Sequence, residues 1–487
     1  MTSAPDSTPA APAPGTRPVT MLEALIPVGS LIVFISLSFF LFGDAGALGP
    51  NQIALVVATL VAVLVGWRCG HTLEALGEAA VHSVSSGIGA IFILFAVGSL
   101  IGTWAMSGTL VAMVYYGLQL LSPNYFYLTT AVICGIVAMS IGSSWTVVGT
   151  IGIGLMGIAA NMDLSPAVTA GAVISGAYFG DKSSPLSDSA NLAAASAGVD
   201  LYAHVRETFI TSAVTLPAAL LVFWYLGSPG DFDAQEQLDA IQNLFHVSLW
   251  LFVPLGLVVA LAAIKLPPFT TIFLGALAGG VLAVIVAPER VIAYANSAGT
   301  TDLPNGLALL KGVWLALADG YRSNTGNADI DQLISRGGME SMLNTVWLII
   351  TALSFGGVVE KVGVLDRLMA PVINAARSAG RLVASLVGAV VATNIVTADQ
   401  YIAIVLPARM FKNGFRERGL APEVLSRTVG DSGTVTGALI PWNSCGAYMA
   451  ATLGIATVHY APYAVFCWLS PLVTIAFATL GIRTRRI

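Results

Sequence analysis

The chain has 487 residues, of which 56% are apolar and only 10% charged, with a formal charge of −5 and a mean hydropathy of +0.83. A soluble domain carries about a quarter charged residues and could not hide this much apolar surface in its own core, so a bilayer must supply the missing solvent. The mild acidity, with no basic run interleaved with aromatics, argues against a nucleic-acid partner.

Residues 1–20, MTSAPDSTPAAPAPGTRPVT, are Pro/Ala/Thr-rich without an apolar centre and are predicted to form a disordered cytoplasmic tail. The apolar run at 21–43 is longer than a signal-peptide core and lacks a cleavage site, so it is read as the first membrane helix. Crossings of about 20 mostly apolar residues are predicted next at 52–67 and 85–105. Segment 125–160 breaks around Gly142-Ser143-Ser144-Trp145-Thr146 and reads as a re-entrant hairpin or as two short crossings; either way the chain returns to its starting side. Segment 166–195 crosses with a polar, Gly- and Pro-containing interruption. A crossing at 208–226 then closes a first membrane repeat spanning 21–227, and an external loop follows at 228–243.

The second repeat, 244–482, is predicted to hold crossings at 244–264 and 269–286, an external loop near 288–340, and a crossing at 342–359. Segment 382–408 has 27 residues, too few for two crossings, and breaks around Thr393-Asn394 and Thr397-Ala398-Asp399, so it reads as a second re-entrant hairpin. An interrupted crossing at 422–453 and a last one at 463–482 bring the total to about ten, ahead of a basic cytoplasmic tail at 483–487. With a cytoplasmic N-terminus, 16 of the 21 basic residues fall inside, which places both termini in the cytoplasm.

The halves resemble each other. Gly102, Gly108 and Leu110 match Gly357, Gly363 and Leu365, each 255 positions on, and the crossing at Thr208 matches that at Tyr463. Ser144 matches Ala398 at 254, and Gly180-Asp181 matches Gly430-Asp431 at 250. Five crossings separate equivalent points, an odd number, so the second half is inverted. The expected fold is an all-α polytopic 5+5 inverted repeat with two re-entrant hairpins and two broken helices, an architecture whose substrate site lies near the bilayer midplane.

Charged groups inside a membrane segment are expensive and point to function. The first interrupted crossing presents Asp181, Lys182, Ser187, Asp188 and Asn191 around Pro185, which cannot continue the helix. The second presents Asp431, Thr434 and Asn443 around Pro441. The hairpin tips add Ser144, Thr146, Thr397 and Asp399. Carboxylates, hydroxyls and freed carbonyls are the hard oxygen ligands that replace a small cation's hydration shell. A carboxyl group in low dielectric keeps its proton unless a cation compensates, so it holds a proton or a sodium ion but rarely both. Asp181, Asp399 and Asp431 are the leading sodium ligands, with Asp188 next. Lys182 is either a structural counter-ion or a group that gives up its proton when sodium takes its partner. Glu360 beside Lys361 reads as an interfacial pair. Four cysteines (Cys69, Cys134, Cys445, Cys467) read as buried thiols. Five histidines (His71, His82, His204, His246, His459) are scattered, with His71 and His82 on a solvated amphipathic stretch.

At SGAYFGDKSSPLSDSANLA, TADQYIAIVLPARMF and LSRTVGDSGTVTGALIPWNSCGAYM, and more weakly at ALSFGGVVEKVGVL, the chain resembles the NhaC-type sodium/proton antiporter family of the ion transporter superfamily. The resemblance runs from about 70 to 480; the tail and the 288–340 loop fall outside it. It implies a bacterial or archaeal plasma-membrane protein that expels sodium as protons enter. It also implies a transport domain moving against a scaffold, often in a homodimer, with Na+ and H+ as the transported species and no resident cofactor.

The rival on the same fold is a sodium-coupled organic-acid (malate/lactate type) or amino-acid transporter, with Lys182 or a hairpin amide holding a substrate carboxylate. An enzyme is not expected. HExxH and GxSxG are lacking, and the two aspartates follow Tyr-Phe-Gly and Thr-Val-Gly rather than the Gly-x-Gly of an intramembrane aspartyl protease.

Overall fold

Local cap chemistry sets where the helices begin. Thr20 opens the first one, Met21–Phe42, as a capping box: its hydroxyl accepts the Glu23 amide while the Glu23 carboxylate accepts the Thr20 amide. Arg17 forks onto Glu23 at 2.5 and 2.8 Å and donates its amide to Cys69 O at 2.9 Å. The last residues of the expected tail are therefore tied to the fold. The computed structural model describes residues 16–227, 235–297, 299, 303–323, 331, 335–375 and 378–483, so the expected disorder of 1–15, the core of the 228–243 loop and most of the basic tail lie outside the described residues.

Among the described residues, nine helices are long and apolar enough to cross a membrane, or ten if the bent pair Thr457–Tyr463 and Val465–Thr479 is one span. The chain is an all-helical multi-pass membrane protein. Six of the uninterrupted predicted crossings appear as Met21–Phe42, Pro50–Arg68, Ile88–Ser107, Leu201–Tyr225, Pro268–Val286 and Leu343–Val362. Outer and inner helices separate cleanly. The apolar window of Met21–Phe42 is 22% buried, with Phe40 84% exposed, whereas that of Ser144–Asn161 is 78% buried. Apolar surface turned outward is what lipid-facing helices require.

The segments read as hairpins, 125–160 and 382–408, contain Pro123–Ile141, Ser144–Asn161 and Ala379–Thr397, each long and apolar enough to cross, and two further segments differ from expectation. The crossing predicted at 244–264 is a 3-10 turn, Leu249–Phe252, running into Val253–Ala263, because Gln235–Leu244 forms its own amphipathic helix. Fifteen residues reach about 22 Å, short of a hydrocarbon core of about 30 Å. The 288–340 loop contains helices Pro288–Ser297 and Asn305–Ala318, the latter apolar and packed on Ile88–Ser107. Ser99 Oγ donates to Leu317 O at 3.0 Å and the Gly338 amide to Gly98 O at 2.7 Å. Lys311 interrupts the apolar pattern there, so docking rather than hydropathy reveals the helix.

Equivalent elements recur in the two halves. Ile88–Ser107 and Leu343–Val362 have 20 residues each and end at left-handed Gly108 and Gly363; each is followed by a 12-residue helix, Thr109–Leu120 and Val364–Ala375. In the broken spans, Pro166 and Pro422 occupy the first turn, Ser187 and Asn443 cap the second helical piece, and Gly198 and Gly454 end it, every pair 256 positions apart. Ser184 and Ile440, each preceding a proline, are extended. Caps define the register, so Asp181 corresponds to Gly437 and Asp431 to Ser175. The Gly-Asp match at 250 is six residues out of register, about one and two-thirds helical turns. The tips likewise pair Gly142 with Ala398, not Ser144 with Ala398.

Both tips are left-handed, with φ +77° at Gly142 and +57° at Ala398. A Cβ on Gly142 would also stand 2.6 Å from the Leu186 carbonyl carbon. Gly142→Ala is therefore expected to destabilise by about 1–2 kcal/mol or more, whereas Ala398→Gly should be neutral or stabilising by up to about 1 kcal/mol. Thermal unfolding in detergent checks both, and equal losses would contradict the backbone argument.

Candidate ion-binding site

Asp181 lies two residues before the end of Pro166–Ser183, where two other helices begin. Ser143 caps the helical run Ser144–Asn161 and Ser187 caps Asp188–Ala197, each by accepting an amide of the first turn. The positive ends of both meet the carboxylate. Asp181 Oδ2 accepts the Ser144 amide at 3.1 Å and its hydroxyl at 2.6 Å, while Oδ1 accepts Ser187 Oγ and, at 3.3 Å, Ser189 Oγ. Four donors thus converge on one buried carboxylate. Asp181 also lines a cavity of about 530 Å³ with Thr146, Asp188, Lys265, Asp399 and Tyr401. Asp399 caps Gln400–Glu417 through the Ile402 amide at 2.8 Å, and Asp188 is exposed at the cavity wall. Three carboxylates thus face one lysine. Trp145 forms part of the wall, held by stacking on Tyr448 at 4.1 Å and by the Tyr448 hydroxyl donating to its carbonyl at 2.7 Å.

Adjacent helical residues diverge by about 100°, and Lys182 faces away from this cavity. Its Nζ donates to Asp431 Oδ1 at 2.7 Å and to Ser470 Oγ at 3.0 Å, and lies 5.0 Å over the Phe466 ring. Thr474 Oγ1 donates to Asp431 Oδ2. Both ion-pair side chains are 0% exposed. Asp431 belongs to a π-helical turn, Gly430–Thr434, that follows Pro422–Val429; such bulges recur at functional sites.

The structure thus sorts the predicted residues. Asp181, Thr146, Asp188 and Asp399 line the cavity, Ser144 and Ser187 hold the Asp181 carboxylate there by hydrogen bonds, and Lys182 and Asp431 form the closed pair behind it. Asn443 instead donates to Asn394 O and Oδ1, while Asn394 donates to Thr436 Oγ1 and Gly433 O. This knot occupies the place where Gly437 stands opposite Asp181, so only the first half carries a carboxylate there. Thr397 bonds back to Thr393 O, and exposed Asn191 donates to Ser187 O. Thr434 Oγ1 is buried without a hydrogen-bond partner. These three meet neither carboxylate. Ser189, Ser470, Thr474 and Tyr401 were missed. Ser470 and Thr474 did leave a signal: two hydroxyls four apart on a mostly apolar helix share one face.

The chain matches the Na+/H+ antiporter family over residues 18–208 and 176–482. It is 36% identical to the Na(+)/H(+) antiporter NhaC of Alkalihalophilus pseudofirmus over 96% of this chain and 97% of that one. It is 35% identical to the malate-2H(+)/Na(+)-lactate antiporter of Bacillus subtilis, covering 93% and 92% of the two chains. It is 33% identical to the arginine/ornithine antiporter ArcD of Halobacterium salinarum, covering 94% and 92%. The match to the family takes in both broken spans and both tips, and on it the chain belongs to the Na+/H+ antiporter family.

Proposed function

We propose that this protein exchanges sodium for protons across a plasma membrane. The observation that carries the reading is the cavity at Asp181: among the described lining residues three carboxylates share it with one lysine, Lys265, and hydroxyls stand at hydrogen-bond distance from Asp181. Such a chamber attracts a small cation and repels an anion. Asp181 takes either a sodium ion or a proton, and Asp399 adds a second oxygen donor from the other tip. On the far face of the same helix end, Lys182 and Asp431 close the interior. Any shift of that end which reorders one carboxylate moves the other, because residues 181 and 182 share one backbone.

The reading includes an inverted 5+5 arrangement with both tips entering the bilayer from opposite sides and both termini cytoplasmic. The repeats are 21–227 and 244–482, and access would alternate as a transport domain moves against a scaffold, in a homodimer. A second reading rests on the size of the cavity, since about 530 Å³ lies within the range for small organic ligands. The B. subtilis and H. salinarum relatives carry malate/lactate and arginine/ornithine in their names. The charge balance disfavours a dicarboxylate.

Purified protein in liposomes with an acid interior should collapse the pH gradient when external sodium is added, without any organic solute. Collapse that requires malate, lactate or an amino acid would replace the first reading with the second.

A further inference from the structure

His204, in the first turn of Leu201–Tyr225, takes no part in the site described above, yet it is fully buried. Its Nδ1 is 2.6 Å from Ser426 Oγ, and its Nε2 has no hydrogen-bond partner. The ring lies against the backbone just before Asp431: a Cβ on Gly430 would stand 2.8 Å from His204 Cε1 and 3.4 Å from Nε2. One turn along the same helix, buried Glu207 meets buried Arg427, the residue after Ser426, at 3.5 Å, and Arg427 also donates to Arg483 O. Asp200, the helix cap, is exposed.

Lys182, Arg427, Asp431 and Glu207 thus form a buried set of two cations and two anions, balanced when His204 is neutral. Because the Ser426 hydroxyl donates to Ala193 O at 3.4 Å, the neutral ring is assigned as donating through Nδ1–H, which leaves Nε2 with a free lone pair, an unsatisfied acceptor of the kind that calls for an explanation. A proton on Nε2 adds one uncompensated positive charge. A sodium ion on Asp431 adds the same charge to this set. In low dielectric the two additions exclude one another.

We propose that His204 is a second proton-binding site, which competes with sodium through charge rather than through shared ligands. The inference rests on the sodium/proton reading. It adds that part of the proton competition resides on an imidazole at the edge of the Lys182–Asp431 pair.

The decisive measurement uses His204 itself. His71, His82, His246 and His459 are replaced by Gln, wild-type exchange is confirmed, and the remaining ring is titrated by NMR in sodium chloride and in choline chloride of equal strength. Sodium should lower the titration midpoint by about one pH unit, a tenfold loss of proton affinity. By reciprocity, protonation weakens sodium about tenfold. In liposomes, His204→Gln should then need about tenfold less sodium for half-maximal exchange at acid pH and the same as wild type at alkaline pH. A merely structural role would shift both pH values alike. A midpoint identical in sodium and choline overturns the proposal even where His204→Gln does not fold. If wild-type liposomes show no sodium-driven proton movement, it is the exchange reading that fails; exchange with sodium-independent titration sinks only the inference on His204.

Discussion

Asp181→Asn is expected to lower sodium-driven proton movement at least about 100-fold, equivalent to about 2.7 kcal/mol, in a protein that still folds. Asparagine keeps the shape, and its carbonyl oxygen can accept from the Ser144 amide and hydroxyl that now meet Oδ2. It cannot ionise, so it loses the proton and the cation together. The serines freed on the Oδ1 side are hydroxyl rotors that can turn to other acceptors, which limits the structural damage. Asp188→Asn provides the contrast. That side chain is exposed at the cavity wall, so its loss should cost only severalfold and be weakened by salt. Exchange in Asp181→Asn within twofold of wild type would remove the carboxylate from the mechanism.

Asp431→Asn should also stop exchange, but with a different stability signature. It leaves the Lys182 ammonium, 0% exposed, with no compensating charge, facing a neutral amide beside the Ser470 hydroxyl and the Phe466 ring. Breaking one side of a buried pair costs about 3–5 kcal/mol, whereas replacing both sides by neutral groups is often close to neutral. Asp431→Asn should therefore lower the unfolding temperature sharply, and adding Lys182→Met should restore most of the loss without restoring exchange. Wild-type exchange in the double variant would make the pair a structural tie, the first of the two roles open to Lys182 from sequence.

The breaks at Pro185 and Pro441 were legible because a proline forces the preceding residue into an extended backbone, whatever surrounds it. The corners at Gly142 and 398–399 were legible because polar residues interrupt apolar runs. The Gly-Asp correspondence was misplaced for the opposite reason: two identical dipeptides look equivalent in a string, yet only the caps at Ser187 and Asn443 define helical register. Asn305–Ala318 was read as part of a loop because fourteen residues with a lysine fail a hydropathy test, and only contact with Ile88–Ser107 shows what its apolar face covers.

By itself, the sequence determined the membrane class, the places where helices start, break and end, and which residue types carry charge inside the apolar segments. All of these depend on neighbours within about a turn or on composition over about 20 residues. Tertiary structure decided which groups meet: Asp181 with three serines in an open chamber, Lys182 with Asp431 from 249 positions away, and His204 against the backbone at Gly430. Consecutive side chains on a helix point about 100° apart, so which way each faces depends on how the helix is rotated against neighbours hundreds of residues distant, and that rotation is set by packing alone.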